Sequence, residues 1–352
     1  MPAKPMAMDA PVDVPAQPLR EYLIAQRPEL AASEMRMSFT SGGQSNPTYF
    51  LHFGPRTLVL RKQPPGELAP SAHAVDREFR ILSALQGSAV PVPRPLLFCN
   101  DRSVIGTLFY VMECVEGTVE PEAALPARSP EERHAIYLSA AETLGALHAL
   151  DWRAAGLADY GRAGAFYERQ LTRWTRYWRE QGLGDNADLD AVIAWLEAHM
   201  VADDTSTISH GDYRFANLIL SPTRPAVAAV IDWELSTIGH PFFDAGYICM
   251  AYHTAPEENG GLIGLNLGAL GIPGQAEFLQ AYYRRAGSVQ QFTSFHQIFA
   301  LFRAAAGSES IASRAANGQG TSAASGLFGR RMGQAYARRA RDIIAGAQGT
   351  GT

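Results

Sequence analysis

TISHGDYRFANLILSPTRPAVAAVIDWELSTIGHPFFD occupies residues 207–244. A short apolar lead ends in His210-Gly211-Asp212, and Asn217 follows Asp212 by five positions. The β-branched run AVAAVI (226–231) then delivers Asp232. Two acids and an amide, each at the end of an apolar strand, suit phosphoryl transfer. That chemistry wants a carboxylate to take the proton of an attacking hydroxyl. It also wants hard oxygen donors for a magnesium ion that bridges nucleotide phosphates. Asp212 fits the first need; Asn217 and Asp232 fit the second.

A cation for the phosphates, and a group to hold that cation, are sought upstream. TLVLRKQ (57–63) reads as a strand, with Leu58, Leu60 and Lys62 on one face and Val59 and Arg61 on the other. Lys62 therefore shares the apolar face, where it either snorkels at a strand end or pairs with phosphate. AVDREFRILSAL (74–85) is helical, and Val75, Glu78, Phe79, Leu82 and Leu85 fall on one side. A carboxylate in an apolar stripe wants a cation. Lys62 is the nearest candidate by topology, so a Lys62–Glu78 pair is expected.

FTSGGQSNPTYFLHF (39–53) reads as strand, Gly-rich turn, strand. Gly42 and Gly43 permit positive φ, and with Ser45 they would let backbone N–H groups approach a phosphate. A Gly-Gly hairpin is more often only a hairpin, and the turn is not GxGxxG. TLFYVMECVEG (107–117) is a strand running into an acidic connector. Its main chain at Glu113 and Val115 would meet an adenine edge, with Met112 packed on the base.

The totals fit this reading. The chain has 352 residues, 47% hydrophobic and 18% charged, long enough for two lobes with real cores. A net charge of −5 argues neither for nor against nucleic acid, and none is expected as a partner. Three scattered cysteines without a CxxC pair favour a reducing cytoplasm over a disulfide framework. No apolar run approaches a membrane span. Residues 1–17, rich in Pro and Ala, read as a disordered tail. A first helix is expected over 18–30, and helices dominate after Glu120: 129–150, 166–181, 189–200, 275–287, 290–316 and 324–345. His148 and the Trp174/Trp178 pair are expected in helix packing. From Arg284 to Asp342 there are nine Arg and no Lys, against Glu309 and Asp342 alone. Most of these would be solvated helix faces; a few facing an acceptor site would favour an anionic substrate.

HGDYRFAN followed by VIDWE (230–234) resembles the aminoglycoside phosphotransferase and choline kinase-like family, relatives of the protein kinases. GGQSNPTY, IDWELSTIGHPFFD and LGIPG resemble the branch containing the phosphotransferase domain linked to acyl-CoA dehydrogenases. The resemblance implies an α+β, bilobal protein-kinase-like fold with a small β-rich N-lobe (18–116) and a larger helical C-lobe (117–352). It implies ATP and Mg²⁺, with Asp212 as base, Asn217 and Asp232 as metal ligands, Lys62 on the α/β-phosphates and Glu78 holding Lys62. His210 and Asp244 would support the loop. Arg214 would pair with a loop carboxylate or approach the acceptor, and Glu234 would be a secondary metal contact. Asp232 is followed by Trp-Glu in place of Phe-Gly, so no flip of that motif is implied.

The function so implied is ATP-dependent phosphorylation of a hydroxyl on a small molecule, in a monomer or homodimer. The branch and the Arg-rich C-terminal helices lean towards an anionic hydroxyacyl-CoA or hydroxy acid. An aminoglycoside acceptor, or a kinase fold that binds nucleotide without chemistry, are the alternatives. A hydrolytic metal centre at His210, Asp212 and Asp232 explains neither Lys62 nor Glu78, and no HExxH is present.

Overall fold

The computed structural model describes residues 13–39, 46–64, 74–202, 205–287, 290–318 and 322–349. In chain order, the first stretch comprises α1 (Ala16–Gln26), β1 (Met35–Phe39), β2 (Thr48–Phe53), β3 (Arg56–Lys62), α2 (Val75–Leu85), β4 (Pro95–Cys99), α3 (Arg102–Ile105), β5 (Phe109–Glu113) and β6 (Thr118–Val119). Then come α4 (Pro130–His148), α5 (Phe166–Gln181), α6 (Ala187–Ala198), β7 (Thr207–Ser209), β8 (Leu218–Leu220), β9 (Val227–Val230) and β10 (Thr237–Gly239). The chain ends in α7 (Pro241–Cys249), α8 (Leu267–Leu270), α9 (Gln275–Ala286), α10 (Ser294–Ala316) and α11 (Ala323–Gly349). The fold is α+β, with two compact units.

The first unit holds the described residues up to Val119 together with Leu218–Ser236. Its main sheet is antiparallel, in the order β1-β2-β3-β5-β4. Strand alternation sorts the side chains into two faces. Leu58, Leu60, Phe109 and Val111 point to a core closed by Leu19 and Leu23 of α1. On the other face Tyr110 meets α2, where its hydroxyl donates to Glu78. A second sheet, β6-β8-β9, accounts for the domain boundary. Thr118 pairs with Leu220 and Val119 with Ile219, so 218–236 belongs here and not with the helical lobe. Gly117 permits that pairing: at φ +154 it lies where a Cβ would sit 2.3 Å from the Leu220 carbonyl oxygen. Of the stretch expected as a tail, residues 13–17 are described. Val14 is buried in the core beside α1, which begins at Ala16.

The second unit holds 120–217 and the described residues from Thr237 onward. α4 starts with a capping box: Ser129 Oγ accepts from Glu132 N–H at 3.2 Å, and Glu132 accepts from Ser129 N–H at 2.8 Å. Pro130 fills N1, where its missing N–H costs nothing. The core joins α5, α6, α10 and α11 through side chains such as Leu171, Trp178, Leu196, Phe299 and Ala337. Burying each of the larger ones stabilises the fold by about 1.5–3 kcal/mol. Among the described residues no helix is long and apolar enough to cross a membrane, and all three cysteines are free.

Candidate active site

In the first unit, β3 carries two cations to opposite faces of the sheet. Arg61 Nη1 lies 3.0 Å from Glu78 Oε2, and its Nη2 lies 3.0 Å from Asp232 Oδ1. Lys62 does not meet Glu78. Its ammonium pairs instead with Asp13 at 2.7 Å, and Tyr49 donates to the same carboxylate. The Lys62–Glu78 expectation is therefore corrected to Arg61–Glu78. Both faces of β3 are buried, so apolar neighbours did not mark the face that meets α2. Glu78 is 1% exposed and also accepts from Asn46 Nδ2 and Tyr110 Oη. Burial pushes its carboxyl up, and the positive charge of Arg61 opposes that only in part. Burial works against the Arg61 cation, yet Glu78, Tyr110 and Asp232 together push its pKa up.

Asp232 follows β9 in the left-handed region, at φ 66 and ψ 64. A non-glycine residue there is uncommon, and Asp tolerates it better than most. The turn is held by Trp233 Nε1, which donates to Val230 O at 3.0 Å, and by Ser236 Oγ, which donates to Trp233 O. This local architecture presents the Asp232 carboxylate to Arg61. Glu113 N–H donates to Arg94 O at 2.9 Å, and its carboxylate pairs with Arg94 and Arg56. Val115 lies in the connector between β5 and β6. Gly42, Gly43 and Ser45 fall outside the described residues.

In the second unit, Asp244 of α7 gathers the loop that bears Asp212. It accepts from His210 N–H at 2.7 Å, Gly211 N–H at 2.8 Å and Ser209 Oγ at 3.0 Å. His148 Nε2 lies 3.3 Å away and its Nδ1 2.9 Å from Tyr282 Oη, so His148 supports the loop from the core. Burial would raise the Asp244 pKa, but His148 and the loop amides hold it below the ordinary carboxylate value. Gly211, at φ 85, makes the turn that a side chain would strain. His210 Nδ1 accepts from Asp212 N–H at 3.2 Å, and Tyr213 Oη anchors the loop to Ala140 O at 2.8 Å. Asp212 Oδ2 accepts from Asn217 Nδ2 at 2.8 Å and lies 3.2 Å from Arg214 Nε.

Asn217 Nδ2 also donates to the Asp212 carbonyl at 2.8 Å. Both neighbours are acceptors, so the amide nitrogen must face them and the amide oxygen is turned elsewhere. That oxygen and the carboxylate of Asp232 are hard donors of the kind Mg²⁺ takes. Among the described residues no group of three or more His, Cys, Asp or Glu could cage a metal. Each of those two donors is, by its own chemistry, a group that Mg²⁺ would accept.

A cavity of about 680 Å³ opens within the second unit, beside Arg214 and Phe215 of the same loop. Its charged lining is Arg173, Arg214, Arg303 and Arg314 against Glu258 alone. Glu258 is already engaged by Arg339, with Nε–Oε2 at 2.8 Å. Arg303 was not singled out by the sequence, although it lay within the Arg-rich C-terminal stretch. Its Nη2 donates to the Gly211 carbonyl. Tyr247 lies close enough to feel the loop: burial and then the charge of Asp212 push its phenol up to about 12, against Arg303 and Arg214.

Comparison with known proteins bears directly on this geometry. The model of the Phosphotransferase enzyme family (APH) matches residues 37–296. The chain belongs to the phosphotransferase enzyme family. It is 38% identical over 315 residues to mouse acyl-CoA dehydrogenase family member 10, covering 88% of this chain and 29% of that protein. It is 39% identical over 292 residues to human acyl-CoA dehydrogenase family member 11, covering 81% and 37%. The chain thus spans about a third of the length of the curated relatives it matches. A crystal structure from Ralstonia eutropha JMP134, classed with the aminoglycoside phosphotransferases, superposes with a TM-score of 0.83 at 37% identity, covering 94% of this chain and 99% of that one. At 15% identity, the ternary complex of an APH(4)-Ia variant with AMP-PNP and hygromycin B shares the fold (TM-score 0.58, 92% and 99% covered). This member of the family therefore carries the kinase-like fold that residues 207–244 implied.

Proposed function

We propose that the protein transfers the γ-phosphoryl group of ATP to the hydroxyl of an anionic acceptor, a hydroxyacyl-CoA or related hydroxy acid. The acceptor oxygen forms a bond to the γ-phosphorus as the bond to the β,γ-bridging oxygen breaks. ADP leaves with that electron pair, and the hydroxyl proton passes to the Asp212 carboxylate. Asn217 and Arg214 orient that carboxylate, and Asp244 holds the loop that bears it. Arg61, fixed by Glu78, is the cation for the nucleotide phosphates, the role first expected of Lys62. The main chain beyond Glu113, at Val115, is the contact for the adenine edge, because the Glu113 N–H is engaged by Arg94. Asn217 and Asp232 would hold Mg²⁺, which when bound neutralises charge on the phosphates.

The observation that carries the acceptor class is the lining of the cavity: four arginines and one glutamate that is already paired. A polycationic aminoglycoside would bring its ammonium groups against guanidinium groups, each such contact unfavourable in a partly desolvated site. The names of the relatives, acyl-CoA dehydrogenases, supply the same lean towards acyl-CoA chemistry. The test is ADP release from Mg-ATP across a panel of hydroxyacyl-CoAs, short hydroxy acids and aminoglycosides. Turnover of the thioesters or hydroxy acids is expected. Turnover of an aminoglycoside alone would overturn the acceptor class.

A further inference from the structure

The peptide that joins Gly211 to Asp212 is held at both of its polar groups. The Gly211 carbonyl accepts from Nη2 of Arg303, a residue of α10. The Asp212 N–H donates to His210 Nδ1 at 3.2 Å. On the other side of the Gly211 Cα, the Gly211 N–H donates to Oδ1 of the buried Asp244 of α7 at 2.8 Å. Gly211 thus meets an anion on its amide and a guanidinium on its carbonyl, the charge that each end of the dipole prefers.

The backbone alone does not fix this arrangement. At φ 85, Gly211 lies where glycine moves freely between left-handed and extended conformations. Its ψ is therefore open, and a change in ψ swings the Cα–Cβ bond of Asp212. Asp244 does not prevent that swing, because the amide it holds precedes the ψ bond. The groups beyond that bond are the Gly211 carbonyl and the Asp212 N–H. The second is held by His210, from within the same loop. The first is held by Arg303, which reaches in from 92 residues further along the chain.

Arg303 is itself seated by α7. Its guanidinium carbon lies 4.5 Å from the Phe243 ring centroid and 4.8 Å from that of Tyr247. These two residues stand on successive turns of α7, so their rings present one face of the helix to the cation. Asp244 comes directly after Phe243. One turn of α7 therefore aligns both charges: the carboxylate for the Gly211 amide and the seat of the guanidinium for the Gly211 carbonyl.

We infer that Arg303 is a positioning residue for Asp212. By holding the Gly211 carbonyl it fixes ψ of Gly211, and with it the direction from which the Asp212 carboxylate meets the hydroxyl it deprotonates. The effect on the reaction rests on Asp212 being the base. It requires no contact between Arg303 and any ligand.

The test is a double-mutant cycle of Arg303→Met and Asp212→Asn, with Arg303→Lys as the conservative variant and a crystal structure of Arg303→Met. Methionine keeps the apolar packing against the two rings and loses the donors. With Mg-ATP and the acceptor turned over in the panel above, Arg303→Met should lower kcat by about ten- to a hundredfold, the range for one charge-assisted hydrogen bond. The KM for the acceptor should stay close to that of wild type. Arg303→Lys, which keeps a charged donor, should recover part of kcat. In the Asp212→Asn background Arg303→Met should cost almost nothing further, because residues that act as a unit do not add. The crystal structure of Arg303→Met should show the Gly211 carbonyl turned from its wild-type direction. Additive losses in kcat would overturn the inference, as would a raised acceptor KM with kcat unchanged. A lower urea midpoint with kcat unchanged would also overturn it, since Arg303 would then serve stability alone. So would a Gly211 carbonyl that stays in place. Full turnover by Asp212→Asn beside a turned carbonyl in Arg303→Met would overturn the base assignment and support Arg303 as the residue that fixes the peptide.

Discussion

Glu78 is paired to Arg61, with 3.0 Å between Nη1 and Oε2, while the adjacent Lys62 is turned to the other face of the sheet and paired to Asp13. One residue of register separates a cation that faces α2 and Asp232 from one that fastens the segment before α1 to the sheet. Both are buried, so neither is an ordinary surface charge.

Substitution should separate the two roles. Arg61→Met leaves Glu78 buried without its cation, a break that typically costs about 3–5 kcal/mol. It should lower stability and raise the KM for ATP by about tenfold or more, the loss of a charged contact to phosphate. Lys62→Met should lower stability as well, because Asp13 loses its partner, but should leave the KM for ATP close to that of wild type. Denaturant titration and ATP saturation curves check both. A Lys62→Met variant with an ATP KM raised as far as that of Arg61→Met would return the phosphate role to Lys62.

The proposed catalytic stretch is conspicuous in the sequence because its logic is local: Asp212, Asn217, Asp232 and Asp244 fall within 38 consecutive residues, 207–244. Glu78 was legible because a carboxylate inside a helical apolar stripe is conspicuous. Its partner was not. Alternation sorted β3 into its two faces, but α1 and the segment around Val14 bury one face and α2 the other, so hydrophobicity could not choose between them. Asp13, the true partner of Lys62, lay in a Pro-rich stretch with the composition of a tail. The boundary at 218–236 was hidden for a related reason: β8 joins β6 across nearly a hundred residues, and no periodicity records a pairing at that distance. The cavity draws on α5, α7, α10 and α11, so only its excess of arginine was visible beforehand.

Asp212 Oδ2 accepts from Asn217 Nδ2 at 2.8 Å and lies 3.2 Å from Arg214 Nε. Asp212→Asn keeps the shape and removes the proposed proton acceptor. Its kcat should fall by about 10²–10⁴-fold, the usual worth of general base catalysis, with the KM for ATP little changed. Single-turnover phosphoryl transfer and equilibrium ATP binding measure the two quantities separately. Unchanged turnover would remove Asp212 from the base role.

Asp232 meets Arg61 through Oδ1 and stands in a left-handed turn that Asn also tolerates. Asp232→Asn should therefore fold. It removes the one formal negative charge among the proposed ligands, so the Mg²⁺ concentration for half-maximal activity should rise by about tenfold or more, in line with the loss of one charge-assisted contact. Asn217→Ala should raise it too, and should also loosen Asp212, so its kcat should fall where that of a pure ligand variant recovers at saturating Mg²⁺. Mg²⁺ titrations at fixed ATP distinguish the patterns. Recovery of full kcat by Asn217→Ala at high Mg²⁺ would mean that the hydrogen bond to Asp212 contributes nothing to catalysis.

Asp244 gives the fold a pH dependence of known sign. The hydrogen bonds from His148 and from the His210 and Gly211 amides keep its carboxyl below the ordinary value of 3.8, against the cost of burial. A carboxyl with a depressed folded pKa stabilises the native state above its unfolded pKa, and that contribution is lost as pH falls through the folded one. Asp244→Asn replaces a charged acceptor with a neutral one and, because the His210 and Gly211 amides are held by different oxygens, turns an NH₂ donor towards one of them. Each hydrogen bond to a charged group is worth about 1.5–3 kcal/mol, so a loss of about 3 kcal/mol is expected at pH 7. The gap between wild type and Asp244→Asn in urea unfolding should be full above about pH 4 and should narrow as pH falls through the depressed folded pKa and wild-type Asp244 takes up its proton. A gap that widened on acidification would mean that the folded pKa is raised, and that burial outweighs the bonds that gather the loop.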